Sequence, residues 1–164
     1  MNLLDASLIF SSLLCTLVAG FILTYSVVVM PGLSKLDDKK FIRAFQVTDG
    51  IVQNNQPIFI SIWLGSIISV VLAIFSSILT VGLSEAWSII FVSTVYLIGV
   101  QGVTISIHLP LNSRIQKINI DKMTSQMLSE ERKKFEPKWN FYNNIRTGIA
   151  LIVSLALILI IAMR

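Results

Sequence analysis

Four polar side chains recur at helical spacing on an apolar stretch in the middle of the chain, where they could do chemistry. Thr94, Gln101, Thr104 and His108 follow one another at offsets of seven, three and four residues, so they share one helical face. His108 is the only histidine of the chain, and its unperturbed pKa near neutrality makes it the first candidate for a general base. The alternative to a site is that this stripe forms a seam of hydrogen bonds between helices.

Two groups of amides extend this pattern. Asn112 continues the stripe beyond Pro110. Asn54 and Asn55 belong to a run of four amides before Pro57, where a helix is expected to begin because proline suits the first helical position. Either these amides cap the helix, or some of them point into the protein interior, since four amides exceed the needs of one cap.

A third set of polar and aromatic residues precedes the last apolar stretch. Trp139, Tyr142, Asn143 and Arg146 fall on one helical face. Either they form an aromatic belt with a basic anchor at a membrane surface, or they line a site. In a site, the guanidinium of Arg146 would bind an anionic or enolate oxygen. It could instead cap the carboxyl end of the preceding helix.

The elements that position these residues are predicted to be membrane-spanning helices. The chain is 54% hydrophobic and only 13% charged, too apolar for a soluble domain of 164 residues. A bilayer core needs about 20 apolar residues in a helix. Four stretches meet or nearly meet that length, at residues 7–30, 57–83, 87–109 and 147–163. We therefore predict an all-α fold, a single membrane-embedded antiparallel four-helix bundle over residues 1–164, with Pro31-Gly32 ending the first span.

The basic residues predict the orientation of the bundle. Twelve Lys and Arg residues lie in the loops 31–56 and 112–146, and only Arg164 lies on the other side. By the positive-inside rule, both loops are expected in the cytoplasm of a multi-pass cell-membrane protein, with both termini outside. Both loops are also expected to contain short interfacial helices. In the first, Phe41 and Phe45 form an apolar face and Asp49 is assigned to the opposite, polar face; in the second, Pro137 is expected to break or kink the helix.

Several classes of function are disfavoured by composition. One Cys and one His make a metal site built from this chain implausible. The net charge of +4 is explained by topology and contact with the lipid bilayer, so no nucleic-acid partner is expected. The predicted spans lack internal charged residues, which counts against an ion-coupled transporter. Homo-oligomerisation stays open.

Short motifs along nearly the whole chain resemble a known family. They are the segment 26–33 at the end of the first span, Leu109-Pro-Leu-Asn112 after the third, and the Trp139–Arg146 segment before the fourth, together with Asn54 and Asn55. In this order they resemble the anthrone oxygenase-like family of small four-helix membrane proteins. The resemblance implies oxidation of anthrones to anthraquinones by molecular oxygen, as in fungal relatives, with no metal or flavin and hence no cofactor.

The resemblance also suggests a role for each candidate. His108 would be the base and Arg146 would stabilise the enolate. Asn112, Asn54 or Asn55 would orient substrate oxygens, and Trp139 with Tyr142 would stack on a small, hydrophobic, planar substrate. Gln101 and Asn143 complete the set of predicted substrate-binding residues. The rival interpretation is a non-catalytic membrane protein that binds a lipid-like or quinone-like molecule or a partner subunit.

Overall fold

The protein is described by a computed structural model over residues 2–164, which is helical throughout and contains no strand in that range. The five helices, with a 3-10 turn at Ile120–Lys122, are α1 (Leu3–Leu33), α2 (Asp38–Gln53), α3 (Pro57–Val81), α4 (Leu83–Gln116) and α5 (Ser125–Ala162). The predicted all-α fold is confirmed.

Four of these helices, α1, α3, α4 and α5, are long and apolar enough to cross a membrane. Each packs mainly against two others, so that they close a ring in the order α1, α3, α4, α5. All neighbours in the ring are antiparallel. Gly82 alone joins α3 to α4, and its φ of 80° is a left-handed conformation that glycine adopts without the steric cost of a Cβ atom. Large apolar side chains cover the outer surface of the ring, as lipid contact requires.

Local sequence signals explain where helices begin. Asn2, Asp37 and Thr124 cap α1, α2 and α5 with side-chain oxygens that accept from backbone N–H groups three residues later. Pro57 occupies the first position of α3, as predicted.

The prediction that Pro31-Gly32 ends the first span is wrong, and of the two effects expected at Pro137 the structure shows no break. α1 continues through Pro31 to Leu33, and α5 continues through Pro137 without a break. In α1 a π-helical turn at Tyr25–Val29 precedes the proline, and the N–H of Met30 bonds to the carbonyl of Tyr25. A wider turn displaces the carbonyls that the proline ring would otherwise strike, so the helix can continue. α4 has the same arrangement, with a π-helical turn at Thr104–His108 just before Pro110.

A second apolar cluster closes one end of the ring. α2 packs Phe41, Ile42 and Phe45 against Phe135 and Trp139 of α5, separately from the apolar core within the ring. Amide bonds fix α2 to the end of α4, because Nε2 of Gln46 donates to the carbonyls of Ile115 (2.8 Å) and Ile118 (2.9 Å). We call this end of the bundle, where α1 and α4 end and α3 begins, the loop end.

Candidate functional site

A cavity of about 250 Å³ lies at the loop end, where α2 covers the ring. All five helices and the α2–α3 turn contribute to its wall, which is mostly apolar and aromatic. The polar and aromatic lining residues are Phe21, Tyr25, Asp49, Gln53, Asn55, Phe59, Trp63, Thr104, His108, Asn112, Trp139 and Arg146. We call it the loop-end cavity.

The imidazole of His108 is the least satisfied polar group in this wall. The side chain is 2% exposed, and neither ring nitrogen has a hydrogen-bond partner within residues 2–164. Its ring meets Trp139 edge to face, with the centroids 5.1 Å apart. Nε1 of Trp63, another lining residue, is likewise without a partner in the described chain. Buried polar atoms normally find partners, so these atoms favour a ligand with polar groups of its own.

The carboxylate of Asp49 is also buried in the wall, at 4% exposure. Its Oδ1 accepts from Nδ2 of Asn112 (2.7 Å) and its Oδ2 accepts from Nε2 of Gln116 (3.1 Å). Asn112 in turn accepts from Nε1 of Trp139 (2.9 Å). Burial raises the pKa of Asp49 above its ordinary value, although these amide donors act in the opposite direction. Asp49 makes no ion pair within residues 2–164.

The guanidinium of Arg146 supplies the cation of the cavity. The side chain is 7% exposed, and it donates to Oδ1 of Asn143 from both Nε (3.0 Å) and Nη2 (2.8 Å). Nη1 donates to Oγ1 of Thr104 (2.9 Å). Asn143 is itself held in place, since its Nδ2 donates to Oγ of Ser26 (2.6 Å). All of these acceptors are neutral, so the positive charge is oriented without being neutralised by a paired carboxylate.

The structure brings several of the residues predicted from sequence into one wall. His108, Asn112, Trp139, Arg146 and Asn55 all line the loop-end cavity. Asn143 lies directly behind Arg146 and accepts its hydrogen bonds.

Other predicted residues lie elsewhere. Gln101 is buried inside the ring, where its Nε2 donates to the hydroxyl of Tyr96 (2.8 Å). Asn54 is exposed at the end of α2, and Tyr142 is partly exposed beside Phe141, outside the cavity wall.

Thr94, the first member of the predicted stripe, is exposed. The reason is a second π-helical turn at Leu97–Gly102, which together with the turn at Thr104–His108 changes the helical register. A periodicity counted at 3.6 residues per turn therefore does not keep Thr94 and His108 on one face.

The sequence patterns do not predict Asp49 and Tyr25 as cavity residues. The prediction that Asp49 lies on the polar face of α2 is wrong, because its side chain is buried. The signal was present in the spacing, since Phe41, Phe45 and Asp49 recur every four residues and so share one face. A carboxylate in register with an apolar face is a candidate for a buried group. Tyr25 carried no comparable signal.

The aromatic walls suit a planar, apolar molecule. Phe21 and Phe59 lie with ring centroids 4.8 Å apart, and Tyr25 and Trp139 lie 5.6 Å apart. These rings make much of the cavity wall aromatic, and Asp49, His108 and Arg146 in the same wall are available to polar atoms of a bound molecule. No group of three or more His, Cys, Asp or Glu within residues 2–164 is arranged to hold a metal ion.

Comparison with known proteins gives one finding. The sequence model of the family described as anthrone oxygenase matches residues 52–156, which is most of the chain and includes His108, Asn112, Trp139 and Arg146. No curated protein and no solved structure matches the chain.

Proposed function

This chain belongs to the anthrone oxygenase family, and from that premise we propose that it is a cofactor-independent oxygenase of anthrone-like, planar phenolic or ketonic substrates. One observation carries the proposal: an unpartnered buried imidazole, a buried carboxylate and a buried guanidinium share one aromatic cavity. Such a cavity offers proton acceptors and an oxyanion partner in a site of low polarity, where both act strongly.

The chemistry follows from the acidity of the substrate. The methylene of an anthrone is activated by its ketone, so a base in the cavity can remove a proton and leave an enolate. The guanidinium of Arg146 stabilises the enolate oxygen. The electron-rich carbon reacts with molecular oxygen to give a peroxide, and loss of water from that peroxide leaves the second carbonyl of a quinone. One methylene and one oxygen molecule thus give one carbonyl and one water.

The experiment is turnover by membranes that contain the protein. We expect anthrone supplied to these membranes to give anthraquinone with matching oxygen uptake, at a rate above that of membranes lacking the protein. Arg146→Ala should abolish the difference, whereas Arg114→Ala, which removes an exposed arginine paired with Glu131, should retain it. A rate equal to that of empty membranes would remove the catalytic proposal.

The second candidate function is non-catalytic binding of a quinone-like or lipid-like molecule. The aromatic walls of the loop-end cavity favour it equally, since stacking needs no proton acceptor. A planar molecule that copurifies with the protein, together with no turnover of any offered anthrone, would support binding over catalysis.

We further propose that the loop end faces the cytoplasm, because the excess of Lys and Arg lies there. The test starts from a cysteine-free Cys15→Ala protein, into which Asn119→Cys at the loop end or Ser84→Cys at the opposite end is introduced. Both positions are exposed. In intact cells, a membrane-impermeant maleimide should label only Ser84→Cys, and Asn119→Cys should react after the cells are opened. The reverse pattern would contradict the orientation.

A further inference from the structure

We propose that Asp49, rather than His108, accepts the proton that the substrate carbon loses. This inference rests on the proposed oxygenase function and assigns the first step of that reaction to a residue of α2. Three features of the structure lead to it: the hydrogen bonds that hold each group, the charges around it, and the absence of an ion pair between Asp49 and Arg146 in the shared cavity wall.

The first feature is orientation. A group that takes a proton from carbon must be held in a defined position, because bond breaking depends on geometry. Both carboxylate oxygens of Asp49 are fixed by amide donors, from Asn112 at 2.7 Å and from Gln116 at 3.1 Å. Each oxygen keeps a second lone pair, and the side chain lines the loop-end cavity. The ring nitrogens of His108 have no such bonds within residues 2–164 to set their tautomer.

The second feature is charge. Proton transfer from a neutral substrate to Asp49 moves one negative charge from the carboxylate to the enolate and creates no new ion. Transfer to His108 would create an imidazolium in the same wall as the guanidinium of Arg146, in addition to the enolate. Separating new charges is costly in a site of low polarity, and two neighbouring cations repel each other. The carboxylate is therefore the better acceptor.

The third feature is the relation between Asp49 and Arg146. Both line the same cavity, yet they do not form an ion pair. A substrate between them can present its methylene to the carboxylate and its ketone oxygen to the guanidinium. The negative charge then migrates across the substrate, from the α2 side of the cavity towards α5.

The whole reaction returns Asp49 to its starting state. The carbon–hydrogen bond breaks, its proton goes to Asp49, and its electron pair becomes the enolate at Arg146. Molecular oxygen is the oxidant and forms a peroxide anion at that carbon, which takes the proton back from Asp49 and becomes a hydroperoxide. The second hydrogen then leaves the carbon as a proton while the oxygen–oxygen bond breaks. The hydroxide released combines with that proton to give water, and the carbon keeps the other oxygen as a carbonyl.

Other titratable groups face the same space and bear on the pH dependence. Tyr25 projects from α1, His108 from α4 and Arg146 from α5, while α3 contributes the non-titrating Trp63. The buried carboxylate has a pKa above its ordinary 3.8. Because a carboxyl group must be ionised to accept a proton, activity should fall as the pH drops through this raised value.

The decisive experiment isolates the proton transfer from the oxygen chemistry. Anthrone is incubated under nitrogen, in deuterated buffer, with membranes containing the protein, and deuterium in its methylene is followed by mass spectrometry. We expect the protein to accelerate exchange over empty membranes. Asp49→Asn should reduce that acceleration by about 10²–10⁴-fold, the usual contribution of a positioned acid or base.

Asp121→Asn is the control, because it removes an exposed carboxylate at the loop end and should exchange like the unmodified protein. His108→Gln tests the rival acceptor. If Asp49 is the acceptor, this variant keeps the acid limb of the pH profile of kcat/KM and loses less exchange than Asp49→Asn does. If Asp49→Asn does not accumulate in membranes, Asp49→Glu is used in its place. We expect this variant to exchange deuterium more slowly than the unmodified protein and to keep the acid limb of the pH profile of kcat/KM.

The outcomes separate this inference from the proposed function. If the unmodified protein neither exchanges nor consumes oxygen above empty membranes, the oxygenase proposal fails and this inference fails with it. If the unmodified protein is active and Asp49→Asn exchanges at the same rate, Asp49 is not the acceptor. Loss of exchange in His108→Gln but not in Asp49→Asn would assign the step to His108 and overturn the inference alone.

Discussion

Asn112 connects the indole of Trp139 to the carboxylate of Asp49. Asn112→Leu is therefore expected to lower the free energy of unfolding by more than the small change in side-chain volume would. Leucine has a similar volume but neither donates nor accepts a hydrogen bond. The substitution leaves Nε1 of Trp139 and Oδ1 of Asp49 without these partners, and both atoms belong to buried residues. An orphaned buried polar group costs about 1–3 kcal/mol, so two cost roughly 2–6 kcal/mol of unfolding free energy.

Thermal unfolding in detergent micelles measures this loss. For a chain of this length each kcal/mol shifts the Tm by roughly 2–4 °C, so a fall of at least about 4 °C is expected. Asn144→Leu is the matched control, because Asn144 is exposed on the neighbouring helix and its substitution should change the Tm little.

A double-mutant cycle identifies the cause of the loss. In an Asp49→Leu background the carboxylate is already absent, so adding Asn112→Leu should cost about 1–3 kcal/mol less than it does alone. If Asn112→Leu and Asn144→Leu have the same Tm, or if the two costs in the cycle simply add, the network does not stabilise the loop end as argued.

Three further predictions concern the cation, the carboxylate and the turn. Arg146→Lys keeps the charge but loses the planar guanidinium that contacts Asn143 and Thr104, so turnover should fall about 10²–10³-fold. Arg114→Lys is the control and should keep its turnover, and equal rates for the two variants would refute the role of the guanidinium geometry. The pKa of Asp49 is raised in the folded state, so folded protein binds this proton more tightly than unfolded protein does. The Tm should therefore fall as the pH rises from about 4 through the raised pKa. Asp49→Asn should lack this fall, and parallel Tm profiles of the two proteins would contradict the prediction. Gly82→Ala should lower the free energy of unfolding by about 1–2 kcal/mol, because φ is 80° at this position. Gly20→Ala, where α1 leaves open space for a Cβ atom, should not lower it. An equal effect of the two substitutions in chemical or thermal unfolding would count against the turn geometry.

The helices could be predicted from sequence because apolar length and basic flanks are properties of consecutive residues. The site could not be predicted in the same way, because it depends on contacts between segments that are far apart in the sequence. His108, Asn112, Trp139 and Arg146 were predicted as candidates because each stands out as a polar or aromatic residue near a helix end, and the structure places all four in one wall.

The misplaced residues have specific physical causes. Two π-helical turns in α4 change the register on which the position of Thr94 was based. The charge of Asp49 predicts an exposed side chain, whereas its spacing from Phe41 and Phe45 places it on the covered face of α2. Pro31 and Pro110 each follow a π-helical turn, which lets the helix continue and which local helix propensity does not reveal.

The length of α5 sets the depth of the loop-end cavity. From Arg146 to the end of the helix at Ala162, α5 rises about 24 Å at roughly 1.5 Å per residue. A hydrocarbon core is about 30 Å thick, so a helix whose end at Ala162 reaches one surface of that core would place Arg146, and with it the cavity, within about 6 Å of the other surface. For the proposed oxygenase, the bilayer is then the reservoir from which an apolar ketone reaches the protein. Its rate should follow the mole fraction of substrate in the lipid rather than the bulk concentration, and adding lipid at constant substrate should slow turnover by surface dilution.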